Sequence, residues 1–268
     1  MKYILVVFLL LAVPVLASTQ KTNCEMINGL DAIDKHRFIM FGEQHGTVEI
    51  PQRFGDMVCH AAVNTKGKVA ILLELPVSLQ ENLNGYFDGK VTQQQFLSHL
   101  VWSPKWQDGR YSVAMLSLID RLKSYRQLFP NKIDVFLVDL LPENAKGKSK
   151  AEYMAENILG HVKDDHKKIL SFSGNFHNRV NVPSGSSVAS LLEHLEPFTL
   201  TVKANKGSYW ACTGPTPDAC KLNQFDKKQP PKYPEGVIVL EQKSQWHGVY
   251  IFHELTASAP AIQSQSKL

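Results

Sequence analysis

A three-layer α/β fold, with a mostly parallel central sheet flanked by helices, is what this sequence predicts, and three observations predict it. Four short apolar runs, at Arg37 to Gly42, Lys68 to Pro76, Ile133 to Asp139 and Lys168 to Ser173, have the length and composition of buried strands. The segments between them carry apolar residues at helical spacing, and such alternation builds βαβ units and a parallel sheet. Each run also stops at a polar group: Glu43 and His45 after the first, Glu74 within the second, Asp139 at the third, His177 after the fourth. In an open α/β sheet the carboxyl ends of the strands are where ligands bind.

In order along the chain, Cys24 to His36 reads as a short helix leading into the first strand. Val48 to Val63 places Ile50, Phe54, Met57, Val58, Ala61 and Ala62 on one helical stripe, with Arg53 turned to solvent. The second strand ends in Glu74, and a carboxylate there needs a partner because an unpaired buried charge is costly. Residues 78 to 100 are helix and turn, with Gln80, Leu83, Tyr86 and Phe87 spaced for packing. The connection Val101 to Ser112 holds Trp102, Trp106 and Asp108-Gly109-Arg110. It is either a cleft wall whose Arg110 forks toward an acidic group of a ligand or an Asp–Arg turn with aromatic packing.

A helix over Val113 to Phe129 precedes the third strand, and the Lys/Gly-rich loop Lys146 to Lys150, read as solvated surface, precedes a helix over Ala151 to Val162. The fourth strand runs into Gly174-Asn175-Phe176-His177, a second Gly-x-x-His turn echoing Gly42-Glu43-Gln44-His45. Phe198 to Ala204, Gly236 to Glu241 and Gly248 to Phe252 complete the sheet as later strands, with the last two open to an antiparallel edge pairing. Tyr209 to Pro234, rich in Pro, Gly and Lys, is an excursion.

The 268 residues, 44% hydrophobic and with a formal net charge of +4, fit one globular α/β domain over residues 18–268. Basic residues are not clustered among aromatics, so nucleic-acid binding is not expected. Residues 1–17 have the charge, apolar core and Val15-Leu16-Ala17 ending of a signal peptide, which predicts an exported protein, periplasmic or secreted. The apolar core is short for a membrane span, and no second membrane signal follows, so no stable anchor is expected after cleavage. In an oxidising compartment Cys24, Cys59, Cys212 and Cys220 can pair. Cys212 and Cys220 bracket a turn-rich loop, which favours Cys212–Cys220 with Cys24–Cys59.

Two imidazoles and several carboxylates on one rim support two chemistries. Without metal, His45 or His177 takes a proton from water, Glu43 or Glu74 fixes its tautomer, and the other histidine or Arg110 stabilises an oxyanion. With metal, His45, His177 and Glu43 offer an N/O set suited to Zn²⁺, Mn²⁺ or Fe²⁺. Arg110, Asp139 and Asn175 are the candidate contacts to a small-molecule or peptide substrate. The absence of a Gly-x-Ser-x-Gly elbow disfavours a serine hydrolase.

Gly42-Glu43-Gln44-His45-Gly46, Glu74 and Gly174-Asn175-Phe176-His177 together resemble the signature of the superfamily that joins erythromycin esterases, Tiki/TraB proteins and ChaN-type haem-binding proteins. The middle section, through Glu74, Gln80, Tyr86, Gly89, Phe96, Trp102 and Trp106, is most similar to the ChaN branch. The resemblance covers about residues 37–180 and implies an α/β domain with its site on one sheet edge. For activity it implies metal-independent ester hydrolysis, metal-dependent proteolysis, or haem binding in iron uptake, according to the branch. In the haem branch a His or Tyr would ligate iron and Arg110 would meet a propionate. The chain departs from the esterase pattern in having one residue, not two, between Glu43 and His45.

Overall fold

Every residue of the first strand, β1 (Phe38–Glu43), is buried, and its side chains divide between two cores. Ile39 and Phe41 enter one; Phe38 and Met40 enter the other. Strand β2 (Lys68–Pro76) repeats the division, with Val69, Ile71, Leu73 and Leu75 on one face and Ala70 and Leu72 on the other. A strand alternates its side chains between faces, so a continuously apolar strand must be covered on both sides. Helices α2 (Glu49–Asn64) and α5 (Val113–Leu128) cover the first face through Phe54, Val58, Leu118 and Leu122, and the short α3 (Gln80–Phe87) and α4 (Gln93–Leu97) add Leu83 and Phe96 to that core. Helices α6 (Lys150–His161) and α7 (Val188–Leu191) cover the second through Met154, Ile158 and Val188. The result is the three-layer arrangement.

The structure is a computed structural model describing residues 24–103, 107–140, 147–214, 216, 219–225, 233–241 and 244–262. The signal-peptide-like segment 1–17 and Trp106 lie outside the described residues. With β3 (Ile133–Asp139), β4 (His166–Gly174), β5 (Phe198–Cys212), β6 (Cys220–Gln224), β7 (Gly236–Val239) and β8 (Gly248–Leu255), the sheet runs β3-β2-β4-β1-β5-β8-β7, with β6 paired to β5. The pairings from β3 through β8 along that path are parallel, and β7 lies antiparallel on β8.

This order decides where the site forms. Strand β4 sits between β2 and β1, so the chain ends carrying Glu74, Gly174 and Glu43 lie on three neighbouring strands. The register places Glu43 directly beside Gly174.

Three expectations are corrected, and one alternative left open is decided. The helix over Cys24 to His36 contracts to α1 (Asp31–Asp34). Carbonyls of residues 25 and 26 instead meet α2 side chains, with Glu25 O 2.7 Å from His60 Nε2 and Met26 O accepting from Arg53. Arg53 itself is paired with Asp56 and Glu235 rather than free in solvent. The excursion after Tyr209 begins as the end of β5, which turns back as β6 with Cys212 opposite Cys220 in register. That pair is bridged, as is Cys24–Cys59, the pairing the spacing favours. Trp102 is core, tilted against Phe96 and edge-on to Tyr111, so of the two alternatives for its segment it takes the packing one.

Candidate functional site

Glu74 is the hub of the carboxyl edge. It is 3% exposed, and a carboxylate so buried needs every lone pair occupied. Its Oε2 accepts from the Gly174 backbone N–H at 2.7 Å, and its Oε1 accepts from Lys150 Nζ at 2.6 Å. His177 Nε2 lies 3.4 Å from Oε1, and His45 Nε2 lies 3.8 Å from Oε2. Both histidines, from turns that follow β1 and β4, therefore face one carboxylate. Burial alone would raise the Glu74 carboxyl, but the His177 hydrogen bond, His45 and Lys150 hold it well below the usual carboxylate range.

A second carboxylate shares those cations. Asp139 Oδ2 receives Arg110 Nη1 at 2.5 Å and Lys150 Nζ at 3.1 Å, while Arg110 also reaches Glu74 Oε1 at 3.5 Å. Arg110 is moreover forked by its neighbour Asp108, whose Oδ1 and Oδ2 accept from Nε and whose Oδ2 accepts from Nη2. Both readings of the Asp108-Gly109-Arg110 turn thus meet in one geometry: a local Asp–Arg turn whose guanidinium also serves the rim. The turn is pressed against the His45-Gly46 turn. A Cβ at Gly109 would lie 2.2 Å from Gly46 N, so only glycine lets the Arg110 backbone come this close.

Lys150 is a rim residue that the sequence did not single out. The loop was read as solvated surface, yet Ser149 and Glu152 form a capping box, with Glu152 N donating to Ser149 Oγ and Ser149 N donating to Glu152 Oε2. That box makes Lys150 the first residue of α6, directly after the β3 edge. The Ser-x-x-Glu spacing was the available signal.

The two histidines differ in setting. His45 Nδ1 is 2.9 Å from Glu43 Oε2, ion-pair distance but too poorly aligned to count as a hydrogen bond. Burial depresses the His45 imidazolium, but Glu43, by charge and contact, and then Glu74 outweigh it, so its pKa lies above the ordinary histidine value. Its side chain keeps 26% exposure, which leaves it the more reachable imidazole. His177 is 13% exposed, with a buried Nδ1 that has no hydrogen-bond partner among the described residues. A bare Gly174 makes room for His45, since a Cβ there would stand 3.1 Å from His45 Nε2.

Asn175 does not join this cluster through its amide oxygen. Its Oδ1 accepts from Thr201 Oγ1 and from Val202 N, each at 2.9 Å, tying the turn after β4 to β5. Among the described residues, no three His, Cys, Asp or Glu side chains converge in a way that could hold a metal ion. The donor chemistry agrees: Glu74 and Asp139 already carry Lys150 and Arg110, so the rim does not fit a divalent cation. Haem fits no better, because Arg110, the group a propionate would need, is held by Asp108, Asp139 and Glu74.

Residues 30–117 match the family model described as haem-binding uptake, Tiki superfamily, ChaN. The matched stretch is about a third of the chain. It contains Glu43, His45, Glu74 and Arg110, while Lys150 and His177 lie beyond it. No curated protein matches the chain. Three solved structures share the fold at 11% identity. One, described as a succinoglycan biosynthesis protein, superposes with a TM-score of 0.65 over 87% of this chain and 91% of its own. A Bacillus cereus protein gives 0.55 over 84% and 90%. An erythromycin esterase mutant in its open conformation gives 0.55 over 87% and 93%. At that identity they show the fold: mixed α/β, mostly parallel, with flanking helices and an antiparallel edge.

Proposed function

We propose that this chain is an exported hydrolase of esterase or peptidase type that works without metal, with His45 activating water and Glu43 fixing the imidazole. The observation that carries the reading is the convergence of His45 and His177 on the single carboxylate of Glu74. A structural rim has no need of two imidazoles on one buried acid beside two cations. An acyl-transfer site does need a reachable base held by a carboxylate, with donors nearby for a developing oxyanion.

In this reading water attacks the acyl carbon and passes its proton to His45 Nε2. The carbonyl electrons move to oxygen, and collapse of the tetrahedral adduct expels the leaving group, which takes the proton back from His45. Lys150, the more exposed of the two rim cations at 37%, supplies charge to the oxyanion, and Glu74 with Asp139 holds that cation in place. Arg110 and Asp139 order the rim. The family model's haem description would assign the same cleft to a carrier, and the commitment of Arg110 to three carboxylates weighs against that use. Export is supported by the two disulfides, since such bonds persist in oxidising compartments. Among the described residues, no helix is long and apolar enough to cross a membrane.

The test is turnover of ester and peptide panels by the protein lacking residues 1–17, with and without chelator. The reading expects chelator-resistant activity that falls by about 10²–10⁴ in His45→Ala, the range of general-base catalysis. Equal activity in variant and parent would remove the assignment, and a Soret band on haem titration without turnover of any substrate would replace it with the carrier.

A further inference from the structure

Arg179, two residues past His177, is held differently from the arginines that pair with carboxylates. Arg110 is saturated with carboxylates, and Arg53 and Arg121 each pair with Asp56. Arg179 has no carboxylate partner among the described residues, and its Nε is buried without an acceptor. Its guanidinium instead lies between two aromatic rings, with Cζ 5.1 Å from the Phe176 centroid and 5.3 Å from that of Trp246. Stacking of this kind fixes a guanidinium's plane while leaving its in-plane N–H donors for a planar anion.

The sandwich is anchored to the catalytic turn. Trp246 Nε1 donates to the Asn175 carbonyl at 3.1 Å, and Val180 N donates to Gln245 O at 2.8 Å, so the two loops are laced together. Phe176 is 50% exposed, and its ring stands edge-on to His177 at 6.0 Å between centroids. A large apolar side chain left half in water on the same turn as a candidate catalytic histidine is a surface for a ligand to cover.

We propose that Arg179, held between Phe176 and Trp246, is the anion-recognition residue of this cleft and selects substrates that carry a carboxylate or phosphate beside the scissile group. The substrate class rests on the hydrolase reading, whereas anion binding itself does not. Arg179 is a specificity residue here, with the bond-breaking chemistry left to His45.

Two measurements on the protein lacking residues 1–17 test this. The first compares kcat/KM for the mono-4-nitrophenyl ester of succinate with that for 4-nitrophenyl butyrate. Arg179→Gln is expected to lose about ten- to hundredfold more on the charged ester than on the neutral one, the worth of a hydrogen bond to a charged group. Arg179→Lys, which keeps the charge but not the planar fork, is expected to fall between. Equal losses on both esters, or none, would overturn the proposal. The second titrates glutarate and inorganic phosphate while following Trp246 emission, with Trp246→Phe identifying the signal and calorimetry confirming binding. Binding by the parent that weakens at least tenfold in Arg179→Gln supports the assignment. Binding that is the same in both, or absent from the parent, overturns it. If the parent hydrolyses no ester, the hydrolase reading fails, and the titration alone decides whether Arg179 binds anions.

Discussion

Glu74→Gln is the most informative single change, because it keeps the shape of the hub and removes only its charge. Both carboxylate oxygens accept, one from Lys150 Nζ and the other from Gly174 N–H. An amide has one acceptor oxygen, so whichever way Gln is turned its NH₂ meets a donor. A buried charged hydrogen bond contributes about 1.5–3 kcal/mol, and removing one partner from a buried ionic cluster costs about 3–5 kcal/mol. Asp139 remains to hold Lys150 and Arg110, which places the loss at the lower end, about 3 kcal/mol. For a domain of this size that lowers Tm by about 6–12 °C.

The same substitution carries a pH signature. The Glu74 carboxyl in the folded protein titrates well below the ordinary glutamate value of 4.5, so its ionised form favours folding. That contribution is fully present above pH 4.5 and is lost as pH falls through the lower folded value. Thermal unfolding followed by far-UV circular dichroism between pH 3 and 8 is the assay, paired with ester turnover. The parent should lose stability on acidification more steeply than Glu74→Gln, so that their Tm values converge at low pH. A variant whose Tm stays within about 2 °C of the parent at neutral pH, with unaltered turnover, would refute the claim that Glu74 organises the rim.

Three further outcomes follow. His45 has its pKa raised, so its protonated form contributes stability fully below pH 6.5 and loses it as pH rises through the folded value; kcat/KM should rise over that same window, above 6.5, and this limb should vanish in His45→Gln. Lys150→Met should lower kcat/KM by about tenfold or more, yet cost only about 1–2 kcal/mol in urea titrations, because Lys150 is 37% exposed and Arg110 stays on both acids. Replacing Cys24 and Cys59 by Ser opens a 35-residue separation and should cost about 3–5 kcal/mol in the same titrations, with esterase activity retained below the new midpoint.

How much of this was legible in the sequence follows from what each residue reports locally. The strands were legible because a run such as Val69 to Leu75 must be buried on both faces, and nothing but a covered sheet offers that. Their ends were legible for a different reason: Glu74, Asp139 and the two Gly-x-x-His turns put polar groups into an apolar run at the carboxyl edge of the sheet, where each needs a partner. The strand order was not. Placing β4 between β1 and β2 is a consequence of crossovers that no local pattern encodes, and it is this order that brings Glu43 and Gly174 side by side. The extent of β5 was hidden as well, since the segment 208–212 earns its strand geometry from β6, through a hairpin stapled by Cys212–Cys220 rather than through an apolar face.

Charge was the property read least well, and Lys150 shows why. Lysines in a Gly-rich loop are solvated by default, and composition alone gives no reason to exempt one of them. The Ser149–Glu152 capping box supplies that reason, because it fixes where the helix begins and hence which lysine faces the sheet edge. Among the described residues, the four carboxylates of the rim, Glu43, Glu74, Asp108 and Asp139, stand against two permanent cations, Arg110 and Lys150. The imbalance acts on His45, whose raised pKa is its local expression. A rim so arranged stores basicity on an imidazole that water can reach. That property separates an acyl-transfer site from an inert ion cluster, and removing either cation should shift it further.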